Sequence, residues 1–211
     1  MRVVKEAEER KNEILDVAEK LFATKGFDDT STNDILKEVG IARGTLYYHF
    51  KSKEEILDAV IARITEQIMA AAARIVKQKE IPILERLTQS ILALNVDTGI
   101  GHEVIQQVHR PQNALMHQKM QEQILSGITP IITELLEEGI AKGEFHTEYP
   151  AQVIEMTMLY ANTMFDDLLE QTSEQKQQRM EAFIYNTERL LGTKSGTLQE
   201  AIMKIFQKQQ L

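Results

Sequence analysis

No proline occurs before position 82, and only four occur in the 211 residues, at 82, 111, 130 and 150. A helix interior tolerates proline poorly, because the residue has no amide donor and its ring clashes with the preceding turn. A long proline-free opening therefore leaves room for long helices, and the apolar residues use it. They recur at three- and four-residue steps, and no β-type alternation persists. The sequence reads as all-α, with nine or ten helices and no sheet. It shows no repeat of fixed period and no low-complexity segment.

The apolar fraction, 43%, is enough to fill an ordinary globular core. Cysteine is absent, which excludes disulfides and thiolate chemistry. The N-terminus turns charged at once, and no apolar run approaches the roughly 20 residues of a membrane span. A soluble, cytoplasmic protein with no membrane partner is expected. The net charge of −8 argues against a protein that coats nucleic acid through bulk charge. That charge is uneven. Residues 1–53 carry 10 basic and 10 acidic side chains, whereas residues 54–211 carry 14 and 22. From Val39 to Lys53 there is no Asp or Glu at all.

The same N-terminal quarter has the clearest local signals. A first helix is expected over roughly Val4 to Thr24, with Ile14, Leu15, Ala18, Leu21 and Phe22 as its apolar stripe. Gly26 is a natural stop. Ser31 and Asp34 resemble a capping box, Asp standing in for the usual Glu or Gln. Ile35, Leu36 and Val39 then form one short apolar face that ends at Gly40, and a second short helix runs from Arg43 to Phe50. Ser52 is placed to cap a long helix over about 53–79.

Helices of about eight residues are marginal alone and must pack on something. Leu46 and Phe50 share a face that Ile35, Val39 and Ile41 can meet. Arg43, Gly44, Tyr47 and Tyr48 are left pointing elsewhere. Taken singly, aromatic pairs on helices usually serve packing. Here they follow a capping box, a glycine turn and an acid-free, lysine-flanked helix within a short span, which is the helix-turn-helix layout. The second helix would enter the major groove, with Arg reading guanine and hydroxyl, His and Lys groups holding phosphates.

The stretch GFDDTSTNDILKEVGIARGTLYYHFKSKEEIL, Gly26 to Leu57, resembles the DNA-binding domain of the TetR family, the tetracycline-repressor-like regulators of bacteria. The resemblance implies roles at matching positions. Ser31, Thr32 and Asn33 open the helix that meets the DNA backbone and, in some members, a base. Arg43, Gly44 and Thr45 open the recognition helix. Tyr47 and His49 match phosphate contacts, Tyr48 sits at a variable position where either a phosphate or a base can be touched, and Lys53 matches a phosphate-gripping lysine. Two positions depart from the pattern. Ala42 stands where Ser is common, so a side-chain cap is missing, and Leu36 replaces a small Ala between the motif helices.

Beyond Glu54 helices are expected over about 82–95, 103–110, 112–142, 150–171, 174–192 and 197–209. Pro111 and Pro150 suit first-turn positions, and Pro130 should kink or split the helix that contains it. The resemblance implies residues 1–53 as the DNA-binding domain and 54–211 as a domain that dimerises and binds a small effector. Helices 150–171 and 174–192 would form the homodimer. There Val153, Met156, Thr157, Tyr160, Ala161, Met164, Phe165 and Leu168, with Phe183, Ile184, Leu190 and Leu191, supply more apolar surface than one core face needs. A monomer burying them internally is the alternative. His109, Met116, Met120, Met156, Tyr160 and Met164 are the candidate effector-pocket residues, although methionines at helical spacing are more often plain core. His102, His109 and His117, near Glu103, leave open a metal or polar-ligand contact and the more ordinary solvated or core histidine.

The expected function is a ligand-responsive transcriptional regulator that binds double-stranded operator DNA, with no cofactor. Neither a phosphate loop nor a Ser/His/Asp order nor a metal-ligand motif supports an enzyme. A helical adaptor for protein partners would leave the acid-free basic helix unexplained.

Overall fold

A computed structural model describes residues 7–95, 113–165 and 171–207. Every regular element among these residues is helical. The order is α1 (Ala7–Lys25), α2 (Thr32–Val39), α3 (Arg43–His49), α4 (Lys53–Val76) and α5 (Ile83–Leu92), the last followed by a 3-10 turn at Ala93–Asn95. Then come α6 (Ala114–Ala141), α7 (Pro150–Met164), α8 (Ser173–Leu190) and α9 (Gln199–Gln207). The expected helix at 103–110 lies outside the described residues. Among those described, no helix is long and apolar enough to cross a membrane.

The chain divides into two compact units, Met1–Glu66 with Asp97–Gln123, and Gln67–Val96 with Ile124–Leu211. In the first unit the expected stripe on α1 is the core: Ile14, Leu15, Ala18 and Phe22 are buried, while Leu21 is half-buried. Ile35 of α2, Leu46 of α3, and Ile56, Leu57, Val60 and Ile61 of α4 are buried with them. Helices α1 and α2 pack together. Phe27 sets its ring edge-on to Phe22 at 5.3 Å, closing the end of this core beneath the α1–α2 turn. Gly26 leaves α1 with a φ of +95°, a conformation that costs little only without a Cβ.

The second unit contains a buried cation. The Arg86 side chain on α5 is fully buried, and an unpaired charge in such a place would cost several kcal/mol. Here its guanidinium donates to the carbonyls of Ile81 at 3.0 Å and Val76 at 2.8 Å, and to both carboxylate oxygens of Glu138 at 3.0 and 2.7 Å. Arg86, then Lys142, hold the Glu138 carboxyl down at about 2. Arg86 also takes up the last carbonyl of α4, which ends at Val76 rather than near Lys79 as expected. The chain turns there as the Gln78 amide donates to the Ile75 carbonyl and the Ile81 amide to the Gln78 carbonyl.

Pro130 does not split its helix: α6 runs unbroken from Ala114 to Ala141. Proline removes one backbone bond, but Ile128, Ile132, Leu135 and Leu136 around it are fully buried. Burial over two turns outweighs a single missing donor. Pro150 does occupy the first turn of α7, as expected. Helix α9 packs on α5, and α7 on α8. The buried Glu188 carboxylate accepts the amides of Gly196 and Leu198, at 3.0 and 2.9 Å, fixing the approach to α9.

Candidate DNA-binding interface

Helix α2 begins at a complete capping box. The Ser31 hydroxyl accepts the Asp34 amide at 3.2 Å, and the Asp34 carboxylate accepts the Ser31 amide at 2.8 Å. The same carboxylate oxygen takes the Ser31 hydroxyl proton at 2.7 Å and the Lys25 ammonium at 2.8 Å. Lys25 first, then the Ser31 amide and hydroxyl, hold Asp34 well below the usual carboxylate range. The Asp34 carboxylate thus gathers three donors at the start of the helix. Thr32 is half-buried beside it, and Asn33 is exposed.

Gly40 ends α2 in the left-handed region, at a φ of +72°, and donates to the Leu36 carbonyl. That turn swings the chain into α3. Ala42 stands at the N-cap with no side-chain bond, as its apolar side chain dictates. Leu46 and Phe50 are buried, at 1% and 3% exposure. They pin α3 by one face. Arg43 and Gly44 are exposed, Thr45 and His49 half-buried, Tyr47 38% exposed and Tyr48 73% exposed. The Arg43 guanidinium lies 5.7 Å from the centre of the Tyr47 ring, within cation–π range, so the ring steadies the cation on the open face. The rings of Tyr48 and His49 meet edge-on at 5.0 Å.

Seven of the residues read from the sequence therefore lie on or at the start of α3 and α4: Arg43, Gly44, Thr45, Tyr47, Tyr48, His49 and Lys53. Ser31, Thr32 and Asn33 lie at the start of α2. Lys53 is turned toward the protein. Its ammonium donates to the Phe27 carbonyl at 2.8 Å and the Asp28 carbonyl at 3.4 Å, and lies 4.2 Å from the centre of the Phe27 ring. Ser52 caps α4 by accepting the Glu55 amide at 3.1 Å.

The candidate pocket residues belong to both units. Met116 and Met120 are buried in the first unit. In the second, Met156 and Tyr160 are exposed and Met164 is half-buried. His109 lies outside the described residues, as do His102 and Glu103. His117 pairs its ring with the Gln121 side chain at 2.9 Å. Among the described residues no cluster of three His, Asp or Glu side chains could hold a metal. Tyr160 lines an open hollow of about 340 Å³ with Gln175, Gln178, Arg179 and Ala182.

Two short helices, a glycine turn, and a pinned second helix with an acid-free outer face make a helix-turn-helix DNA-binding domain. Residues 14–60 match the family of bacterial regulatory proteins described as tetR, and residues 96–185 match a tetracyclin repressor-like C-terminal domain. The chain is 31% identical over 137 residues to the fatty acid metabolism regulator protein of Bacillus subtilis, covering 63% of this chain and 69% of that one. It is 28% identical over 153 residues to the transcriptional repressor KstR2 of Mycolicibacterium smegmatis, covering 69% and 72%. Among solved structures it resembles RolR in complex with resorcinol, at a TM-score of 0.62 and 20% identity, covering 93% of this chain and 94% of that one. That last likeness is one of fold. The chain belongs to the TetR family and is a DNA-binding transcriptional regulator.

Proposed function

We propose that a homodimer of this chain represses transcription by seating two α3 helices in successive major grooves of a palindromic operator. A small molecule bound by the larger part of the chain releases it. In this division of labour residues 1–53 read DNA, and residues 54–211 dimerise and sense the effector. The observation that carries the reading is the polarity of α3: its apolar side chains are buried, and what it offers outward is Arg43, Gly44, Tyr47 and Tyr48, with no acid. Arg43 and Thr45 read base edges, Ser31, Thr32, Asn33, Tyr47, Tyr48 and His49 set the register on the backbone, and Lys53 joins them at a phosphate.

Dimerisation follows from size and from surface. A single short recognition helix spans too few base pairs, and a two-fold dimer reads a palindrome. Helix α7 supplies apolar side chains at the surface: Met156 and Leu159 are 56% and 54% exposed. The effector acts only through its different affinities for the DNA-competent and released arrangements. The regulator works in the cytoplasm, where its operator is.

The test is selection of genomic fragments at two salt concentrations, followed by footprinting. One protected palindrome, bound by two chains and retained at the higher salt, is the expected result. Retention of no fragment selectively would overturn the reading. A thermal-shift screen on the same protein then seeks the effector. Fatty acids and their derivatives come first in that screen, because one relative is a fatty acid metabolism regulator. A compound that stabilises the protein should also lower operator occupancy.

A further inference from the structure

The turn between α1 and α2 is held from a point far along the chain. The Phe27 amide is buried and donates to Asn113 Oδ1 at 2.8 Å, across 86 residues of sequence. The carbonyl of the same residue accepts the Lys53 ammonium at 2.8 Å. One peptide segment is thus gripped on both sides. The Thr30 amide returns to the Phe27 carbonyl at 3.2 Å, and the Thr30 hydroxyl to the Gly26 carbonyl at 2.6 Å. The next residue is Ser31, the cap of α2, followed by Thr32 and Asn33. Wherever Phe27 sits, the DNA-facing start of α2 follows within four residues.

Asn113 is well placed to set that position. It is 1% exposed and directly precedes α6. Within the first unit, α6 is fastened to α4 at two points. The Lys119 ammonium meets the Asp58 carboxylate at 2.6 Å, and the Thr65 hydroxyl meets Gln123 Oε1 at 3.0 Å. The oxygen offered to Phe27 therefore sits on a braced helix end. It touches no surface that DNA could reach.

We infer that Asn113 is a positioning residue for operator binding, acting through the Phe27 peptide. The inference rests on the reading of α2 and α3 as the DNA face. Without the Asn113 oxygen the Phe27 amide is left buried and unbonded, and the turn must shift to hydrate it. Ser31, Thr32 and Asn33 then lose their register, which binding to DNA has to restore.

The experiment uses the full chain, with operator affinity measured at several salt concentrations beside thermal melting and hydrogen exchange at the Phe27 amide. Asn113→Ala should weaken operator binding about tenfold, the effect of one buried hydrogen bond. Its salt slope should stay that of the wild type, because no phosphate contact is removed. The Phe27 amide should exchange faster. Asn113→Gln keeps a neutral amide oxygen for that N–H and should recover part of the affinity. A lower melting temperature with wild-type operator affinity in Asn113→Ala would overturn the inference, and so would equal losses in the two variants. Should Asn113→Ala not fold, Asn113→Ser, whose oxygen falls short of the amide, takes its place in the same comparison. Arg43→Ala separates the two readings: if it binds the operator as tightly as the wild type, the DNA-face reading fails whatever Asn113 does.

Discussion

Helices α3 and α7 both leave large side chains in water, and they do so with opposite electrostatics. Helix α3 carries Arg43 and His49 and no acid, and exposes the two tyrosines Tyr47 and Tyr48. Helix α7 carries Glu155 as its single charge, with no Lys or Arg, and exposes Met156, Leu159 and Tyr160. A surface of hydroxyls and cations suits a polyanion, whose phosphates dominate affinity. A surface of methionine, leucine and ring carbon has nothing to offer phosphate and gains only by excluding water. The contrast teaches that exposure alone does not name a partner; the charge around the exposed groups does.

The largest effect should come from putting a charge where α7 has none. Leu159 is exposed, so Leu159→Arg should leave the fold and melting temperature of the separate chain nearly unchanged. If α7 pairs two copies as proposed, sedimentation equilibrium should show a dimer for the wild type and a monomer for the variant. Operator affinity should fall on the order of 10³-fold, because a lone half-site contact approaches non-specific binding. A variant that stays dimeric would mean that α7 faces something other than a second copy.

Next in size is Arg43→Ala on α3. The side chain is exposed, so stability should not move. Loss of a bidentate base contact should cost ~1–3 kcal/mol on the operator and relax preference at one base pair. Equal losses on operator and random DNA would remove Arg43 from the base-reading set. Lys53→Gln should be milder and different in kind. It should weaken all sequences alike and lower the salt slope by about one, if the ammonium leaves the Phe27 carbonyl for a phosphate on binding. An unchanged slope would keep that ammonium on the turn it holds in the free protein.

The same contrast separates what the sequence makes legible from what it hides. The start of α2 could be read because Ser31 and Asp34 are three residues apart and the capping box is a local device. The outward set on α3 could be read because Leu46 and Phe50 are four apart and must share the buried face. Arg86 and Glu138 lie 52 residues apart, and Phe27 and Asn113 lie 86 apart. Nothing near either partner announces such a pairing; only the fold brings them together. Pro130 shows a local rule overruled, since burial of its neighbours carries the helix past the lost donor. The effector-pocket set rests on methionine at helical spacing, a pattern that core and pocket share, so spacing alone does not separate the two.

The finest test makes one substitution on both helices. Tyr48→Phe on α3 removes a hydroxyl and keeps the ring, which already rests edge-on against His49. Tyr48 is 73% exposed, so the hydroxyl contributes little to folding and the melting temperature should hold. On the operator the hydroxyl is expected to meet the DNA backbone, and its loss should cost about 0.5–1.5 kcal/mol. Tyr160→Phe on α7 removes the same atom from a ring that stacks on Phe183 at 5.7 Å. If α7 works by excluding water, ring carbon does what that surface needs, and the dimer dissociation constant should not weaken. Paired measurements of operator affinity and dimer dissociation for the two variants decide the matter. A dimer weakened by Tyr160→Phe would show that α7 uses polar groups as α3 does, and the contrast between the helices would fall.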